Sequence, residues 1–238
     1  MPDLPTSVNP PRQARSRATL DRILEAAEAL LETHLMDEIS LSDVLERAGV
    51  SVGAFYGRFR NKEALLPELH TRYARRLDVE SVRVLAPERW RGRPLARRVG
   101  LLVRYAVFVY RRQRGLLRAL SLDWRIHPER VTPSVLENRE QFHRRLVAAL
   151  AGDGDEISHP EADAAVRFAL TMLGAVCRDQ MLSSPKRHPH PIDAGAAESW
   201  LAAELERALL AYLTAPPGLV RAVPPPSVPS PDTQDAPR

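Results

Sequence analysis

Cysteine is nearly absent: Cys177 is the only one in 238 residues, which excludes an internal disulfide and any zinc site built on paired thiolates. A lone thiol of this kind reads as a small buried apolar group. Lysine is almost as rare, at Lys62 and Lys186 only, so nearly all the positive charge is arginine. Aromatic residues make up 5% of the chain, and the longest apolar stretch, 99–110, is interrupted by Arg104 and too short to span a bilayer. Residues 1–11 hold no basic start followed by an apolar run, so a cytoplasmic protein with no membrane partner is expected. Strand signals are lacking too. No glycine-rich phosphate loop, Ser-His-Asp order or paired carboxylates stand out, so neither an enzyme nor a cofactor is expected. His188 and His190 flank Pro189 with no third ligand evident, and no metal is expected.

The net charge of +4 suits a nucleic-acid partner, but its distribution is uneven. Between Arg83 and Arg145 sixteen arginines face five acids, while 12–62 balances at eight against eight. The basic excess therefore lies outside the segment that the motifs below single out. Arg97, Arg104, Arg111 and Arg118 recur every seven residues, which on one long helix makes a stripe, read as a solvated face whose arginine stems cover apolar surface. Attraction of an acidic ligand or of DNA is the other reading.

Residues 16–34 carry Ile23, Ala27, Leu30 and Leu31 on one face and Asp21, Glu25, Glu28 and Glu32 largely opposite, the spacing of an amphipathic helix. Ser40, three residues before Asp43, imitates a capping box for a short second helix that Gly49 ends. Ser51 can cap a third helix in which Phe55 and Phe59 share an inward face. Asn61 caps a fourth, running to Arg76 or beyond. Further helices are expected at 94–120, 133–151, 160–183 and 193–214. The chain divides into an arm (1–14), a DNA-binding domain (15–62), a helical body (63–214) and a proline-rich tail (215–238) too poor in large apolar residues to order itself.

The stretch SLSDVLERAGVSVGAFYGRFRNKE, residues 40–63, holds the functional signal. A capped short helix, a turn at Gly49 and a second capped helix is the layout of a helix-turn-helix, whose second helix enters the major groove. Helix starts at Ser51 and Asn61 also suit phosphate. With Phe55 and Phe59 turned inward, Val52, Gly53, Tyr56 and Gly57 are left on the other face, towards DNA.

The ERAGVS turn, the Gly-Ala-Phe-Tyr core, Phe59 and the Asn-Lys-Glu start of the next helix resemble the signature of the tetracycline-repressor (TetR) family over residues 16–66. The resemblance implies an all-α fold: a three-helix helix-turn-helix domain, then a helical ligand-binding and dimerisation domain. It further implies a homodimer whose recognition helices read a palindromic double-stranded operator, with release by a small molecule. By the same resemblance Tyr56 and Lys62 hold phosphates, Ser51 contacts the backbone or caps, and Gly53 allows close approach; Tyr56 as a packing residue and Lys62 as a solvated charge remain open. Val52, Gly57 and Leu35 depart from the family pattern. Valine can touch a thymine methyl but cannot hydrogen-bond a base edge. Specificity is therefore assigned to Arg58, Ser40 and Ser42, to Arg12, Arg15 and Arg17 reaching the minor groove, or to DNA shape. The sparse base readout keeps a second reading alive, a helical sensor or adaptor acting through protein contacts.

In the body, Trp90, Tyr105, Phe108, Trp124, His127 and Met172 are the candidates to line an effector pocket, expected to take a small, largely apolar molecule with a preference for acids drawn from the arginine stripe. The last two helices are expected to pair with their copies in a second chain, through Trp200, Leu201, Leu205, Leu209 and Tyr212 with Ala208 and Ala211 allowing close approach.

Overall fold

The computed structural model describes residues 12–152, 156–182 and 194–216. Helices account for its regular structure throughout, with no strand among the described residues. The N-terminal unit contains α1 (Arg12–Leu31), α2 (Leu41–Ala48), α3 (Val52–Tyr56) and the start of α4 (Leu65–Val84). The body adds α5 (Pro87–Trp90), α6 (Leu95–Arg112), α7 (Arg114–Ile126), α8 (Pro133–Ala151), α9 (Ala162–Leu182) and α10 (Ala194–Thr214). Residues 1–11, most of the proline-rich tail, His188 and His190 lie outside the described residues, as do the side chains of Arg12 and Arg15. No helix among the described residues is long and apolar enough to cross a membrane.

Two expectations need correction. The first helix begins at Arg12 and ends at Leu31, where the amides of Thr33 and His34 turn back onto the Leu30 carbonyl. More consequentially, the single helix expected at 94–120 is two, because Gln113 leaves the helical region at φ −118° and ψ 31°. That break leaves Arg97, Arg104 and Arg111 on α6 and takes Arg118 out of the stripe. Arg104 pairs with Glu206 at 3.3 Å, while Arg118, now on α7, donates to the His34 carbonyl at 3.0 Å.

The chain builds two apolar cores. One fills the body with α6, α8, α9 and α10, where Val99, Val103, Leu150, Val166, Ala169 and Leu213 are sealed from solvent. Cys177 lies there as expected, its thiol pushed up to about 11 by burial. The other core packs Ile23, Leu31, Val44, Phe55, Phe59 and Leu69 of the N-terminal unit, and into it α7 inserts Leu116, Ala119 and Leu120. The two units are therefore joined through α7 as well as through the continuous α4. The acidic face of α1 also pairs with α4 while Asp21 and Glu25 stay exposed: Arg72 of α4 reaches Asp21 and Glu25 at 2.9 Å and Glu28 at 3.2 Å, and Arg76 reaches Glu28 at 3.1 Å.

Where α4 faces α7, buried His70 approaches buried Asp123 with Nε2 and Oδ2 3.4 Å apart, and Asp123 also accepts from Arg130 at 3.0 Å. Burial holds the imidazole below its ordinary pKa, against the opposing pull of Asp123. With the folded value lowered, the unfolded chain binds the extra proton in the window just below the ordinary histidine value, so stability falls as the pH drops through it. Thermal melting between about pH 7 and pH 5 should show that loss in the wild type. It should be smaller in His70→Gln; equal slopes would remove the assignment.

Candidate nucleic-acid interface

The helix-turn-helix is set by its caps. Ser40 Oγ accepts from the Asp43 amide at 3.1 Å and the Ser40 amide donates to Asp43 Oδ2 at 2.8 Å, a reciprocal box that starts α2. The same bonds hold the Asp43 carboxyl below its usual range, the Ser40 hydroxyl contributing most. At the turn, Gly49 takes φ 60°, a left-handed conformation that glycine adopts without a Cβ clash, and its carbonyl accepts from Arg22 at 3.2 Å. Ser51 Oγ then accepts from the Ala54 amide at 3.2 Å to start α3, and Asn61 Oδ1 accepts from the Ala64 amide at 3.0 Å before α4.

Orientation of α3 follows from its two phenylalanines. Phe55 and Phe59 are buried with ring centroids 5.1 Å apart, which fixes what the opposite side presents. Val52 is 55% exposed and Tyr56 54%. Ser51, Gly53 and Gly57 are exposed beside them, and no atom lies within 4 Å of where a Gly53 Cβ would stand. These five candidates share one open strip. Arg17 is exposed on α1, and the exposed Ser40 and Ser42 hydroxyls lie 2.8 Å apart, each a partner to the other.

Two residues have internal duties that sequence reasoning missed. Lys62 donates to the carbonyls of Met36 and Ile39 at 2.8 and 2.6 Å, tying the loop between α1 and α2 to the start of α4. An ammonium has three N–H groups, so one at most remains for a phosphate. Arg58 donates to the Ala54 carbonyl at 2.8 Å and to Ser16 at 3.0 and 3.2 Å, which fastens the end of α3 to α1 rather than extending the side chain outward. The long-range part of each duty leaves no trace in local sequence, because Met36, Ile39 and Ser16 are more than twenty residues away along the chain.

The candidate effector residues do not converge on one place. Trp90 is buried and donates to the Val84 carbonyl at 2.9 Å; Met172 packs at the edge of the body core. His127 stands at the end of α7 beside Glu129 at 3.2 Å. Phe108 is exposed in a groove of about 670 Å³ between α6 and α10, where Arg104, Arg111 and Glu206 also lie. Tyr105 and Trp124 belong to a third region. There burial raises the pKa of Tyr73, Tyr105 and Tyr110, so all three phenols remain neutral donors. No group of three or more metal-ligating side chains occurs among the described residues.

A family model described as bacterial regulatory proteins, tetR family, matches residues 23–69, from within α1 into α4. No curated protein matches the sequence. Among solved structures, one assigned to the TetR family of transcriptional regulators from Mesorhizobium loti superposes with a TM-score of 0.62 at 17% identity, covering 84% of this chain and 96% of that one. A TetR transcriptional regulator from Rhodococcus sp. RHA1 gives 0.50 at 20% identity, over 83% and 97%. At such identities the likeness is one of fold.

Proposed function

The chain belongs to the TetR family of transcriptional regulators, and from that premise we propose that it is a ligand-responsive repressor acting in the cytoplasm as a homodimer on a palindromic operator. The observation that carries this reading is the open strip of Ser51, Val52, Gly53, Tyr56 and Gly57, held outward by the burial of Phe55 and Phe59. Its small residues favour close approach to the duplex, its one aromatic hydroxyl suits a phosphate, and its lack of base-reading side chains leaves specificity to DNA shape and flanking contacts.

Tyr56 and Lys62 should now behave differently from each other. Tyr56→Ala is expected to weaken operator binding about tenfold with unchanged unfolding, as loss of one charge-assisted phosphate bond. Lys62→Ala is expected to lower unfolding stability by about 1–3 kcal/mol through its two carbonyl partners, whatever it does to DNA. Gel shifts and urea melts on both variants separate the two roles. Equal stability of Lys62→Ala and wild type would return Lys62 to the surface.

Dimerisation is assigned to the exposed faces of α9 and α10. Leu205 and Leu209, first expected at the dimer seam, are buried within the chain's own core. What remains outside is a stripe of Ala164, Phe168, Thr171 and Ala175 on α9, and of Trp200, Ala203, Arg207 and Ala211 on α10. Small residues around two aromatics let paired helices approach closely. Sedimentation should give a dimer for the wild type and a monomer for Ala211→Arg; a wild-type monomer at micromolar concentration would contradict the assignment.

A further inference from the structure

Where α7 leaves the core of the N-terminal unit, its seam with α4 changes from apolar to ionisable. Leu116, Ala119 and Leu120 of α7 pack into that core together with Leu69 of α4. His70 follows Leu69, and Asp123 stands one turn beyond Ala119. Their side chains are 6% and 2% exposed, and Nε2 and Oδ2 face each other at 3.4 Å. Neither atom completes a hydrogen bond, with the other or with anything else. The second carboxylate oxygen, Oδ1, accepts from Arg130 at 3.0 Å, so Asp123 is anchored on one side only.

A buried donor and acceptor held just short of bonding are costly, and a small approach removes the cost. Ordinary bonding length is about half an ångström away. The proton decides whether the gap closes. A neutral imidazole with its hydrogen on Nδ1 turns a lone pair towards Oδ2 and repels it, whereas the imidazolium donates from both nitrogens. Its bond to a carboxylate is charge-assisted, hence shorter and stronger than a neutral one. At the present spacing burial outweighs Asp123 and holds the imidazole below its ordinary pKa. A closer Asp123 pulls harder, so acid favours the closed arrangement, in which the proton is held more tightly. Arg130 is already paired with Asp123, the acids of α1 are taken by Arg72 and Arg76 of α4, and exposed Arg139 of α8 acts against the proton.

The pair stands between the two units whose relative position sets the recognition helix. His70 is on α4, which follows α3 through the turn capped by Asn61, and Asp123 is on α7, which packs on α9 of the body. We propose that His70 and Asp123 form a proton-operated joint: protonation of His70 closes its contact with Asp123, draws α4 onto α7 and resets α3, so that operator affinity follows pH. The joint rests on the operator-binding reading above and adds the proton to its inputs. Both are positioning residues, since both are buried away from any DNA surface.

Trp124 reports on the joint directly, because its ring centroid lies 6.1 Å from that of His70. Tryptophan emission of the full chain, titrated from about pH 8 to about pH 5, should show a step that His70→Gln lacks. Circular-dichroism melts confirm that the variant is folded. Anisotropy titrations with operator DNA at matched salt should show the wild-type affinity changing over that range by at least about threefold more than the affinity of His70→Gln. Asp123→Asn, which removes the acceptor's charge, should flatten the curve in the same way. By reciprocity, bound operator should move the midpoint of the emission step by about half a pH unit.

Parallel affinity curves for wild type and His70→Gln would overturn the joint, since a merely structural contact changes the melting temperature and leaves the curves parallel. An emission step that His70→Gln retains would overturn it as well. Absence of operator binding at every pH would overturn the wider reading instead, and the emission step of the free protein would still decide whether the pair takes up the proton.

Discussion

Replacing Gly115 by alanine is expected to cost about 1–3 kcal/mol of stability or more and to loosen the helix-turn-helix unit from the body, because there is no room for the added carbon. A Cβ at this position would overlap the Leu31 carbonyl and stand 2.7 Å from Glu32 Cα, both backbone at the end of α1. Backbone cannot swing aside as a side chain does, so α7 itself would have to move. Leu116, Ala119 and Leu120 would then be withdrawn from the core they share with Ile23, Leu31 and Phe55. The same helix carries Trp124 in its last turn, against Arg139 of α8, so α7 runs from the helical body to the DNA-binding unit. Loss of effector control of operator binding should therefore accompany the loss of stability. Gly53→Ala is the control: nothing lies within 4 Å of its Cβ. It should match or exceed the wild type by up to about 1 kcal/mol in stability, since alanine favours helix, while altering DNA affinity. Urea melts within about 0.5 kcal/mol of wild type for Gly115→Ala would contradict the account.

Gly152→Ala is expected to be equally severe for a different reason, about 2–5 kcal/mol when strain and overpacking combine. Gly152 ends α8 at φ 64° and ψ −164°, a region open essentially to glycine alone. Its Cβ would also overlap Arg98 Nη1 and lie 2.8 Å from Nη2. Arg98 cannot retreat. It is 2% exposed and donates to the carbonyls of Arg93 and Ala151 at 2.8 and 3.3 Å, with Glu156 at 3.4 Å. Displacing it would strand a buried charge, which costs more than the contacts themselves. Calorimetric melting of the full chain checks this; a midpoint unchanged from wild type would show that the end of α8 has another conformation available to it.

The N-terminal unit was largely legible because its signals are local. Ser40, Gly49, Ser51 and Asn61 each act within four residues of themselves, and the four-residue spacing of Phe55 and Phe59 fixes which way α3 faces. The body was less so. Nothing in RRQRG announces a helix end, and the break at Gln113 goes with the docking of Gly115 on α1, a contact between residues more than eighty apart in sequence. The duties of Lys62, Arg72 and Arg98 were hidden for the same reason, since their partners are distant carbonyls or acids. Charge counting also misled: a regular arginine spacing suggested one stripe over Arg97, Arg104, Arg111 and Arg118, whereas the break at Gln113 puts Arg118 on α7, where it donates to the His34 carbonyl.

The central claim is that the strip on α3 reads an operator, and competitive binding measures it most directly. Anisotropy titrations at fixed salt would compare a palindromic fragment from the DNA upstream of the protein's own gene with a scrambled fragment of equal length. The account predicts a preference for the palindrome of about a thousandfold or more, falling steeply in both arms as salt rises, with Tyr56→Ala weaker on each. Equal affinity for the two fragments, or no binding to either at low salt, would contradict it.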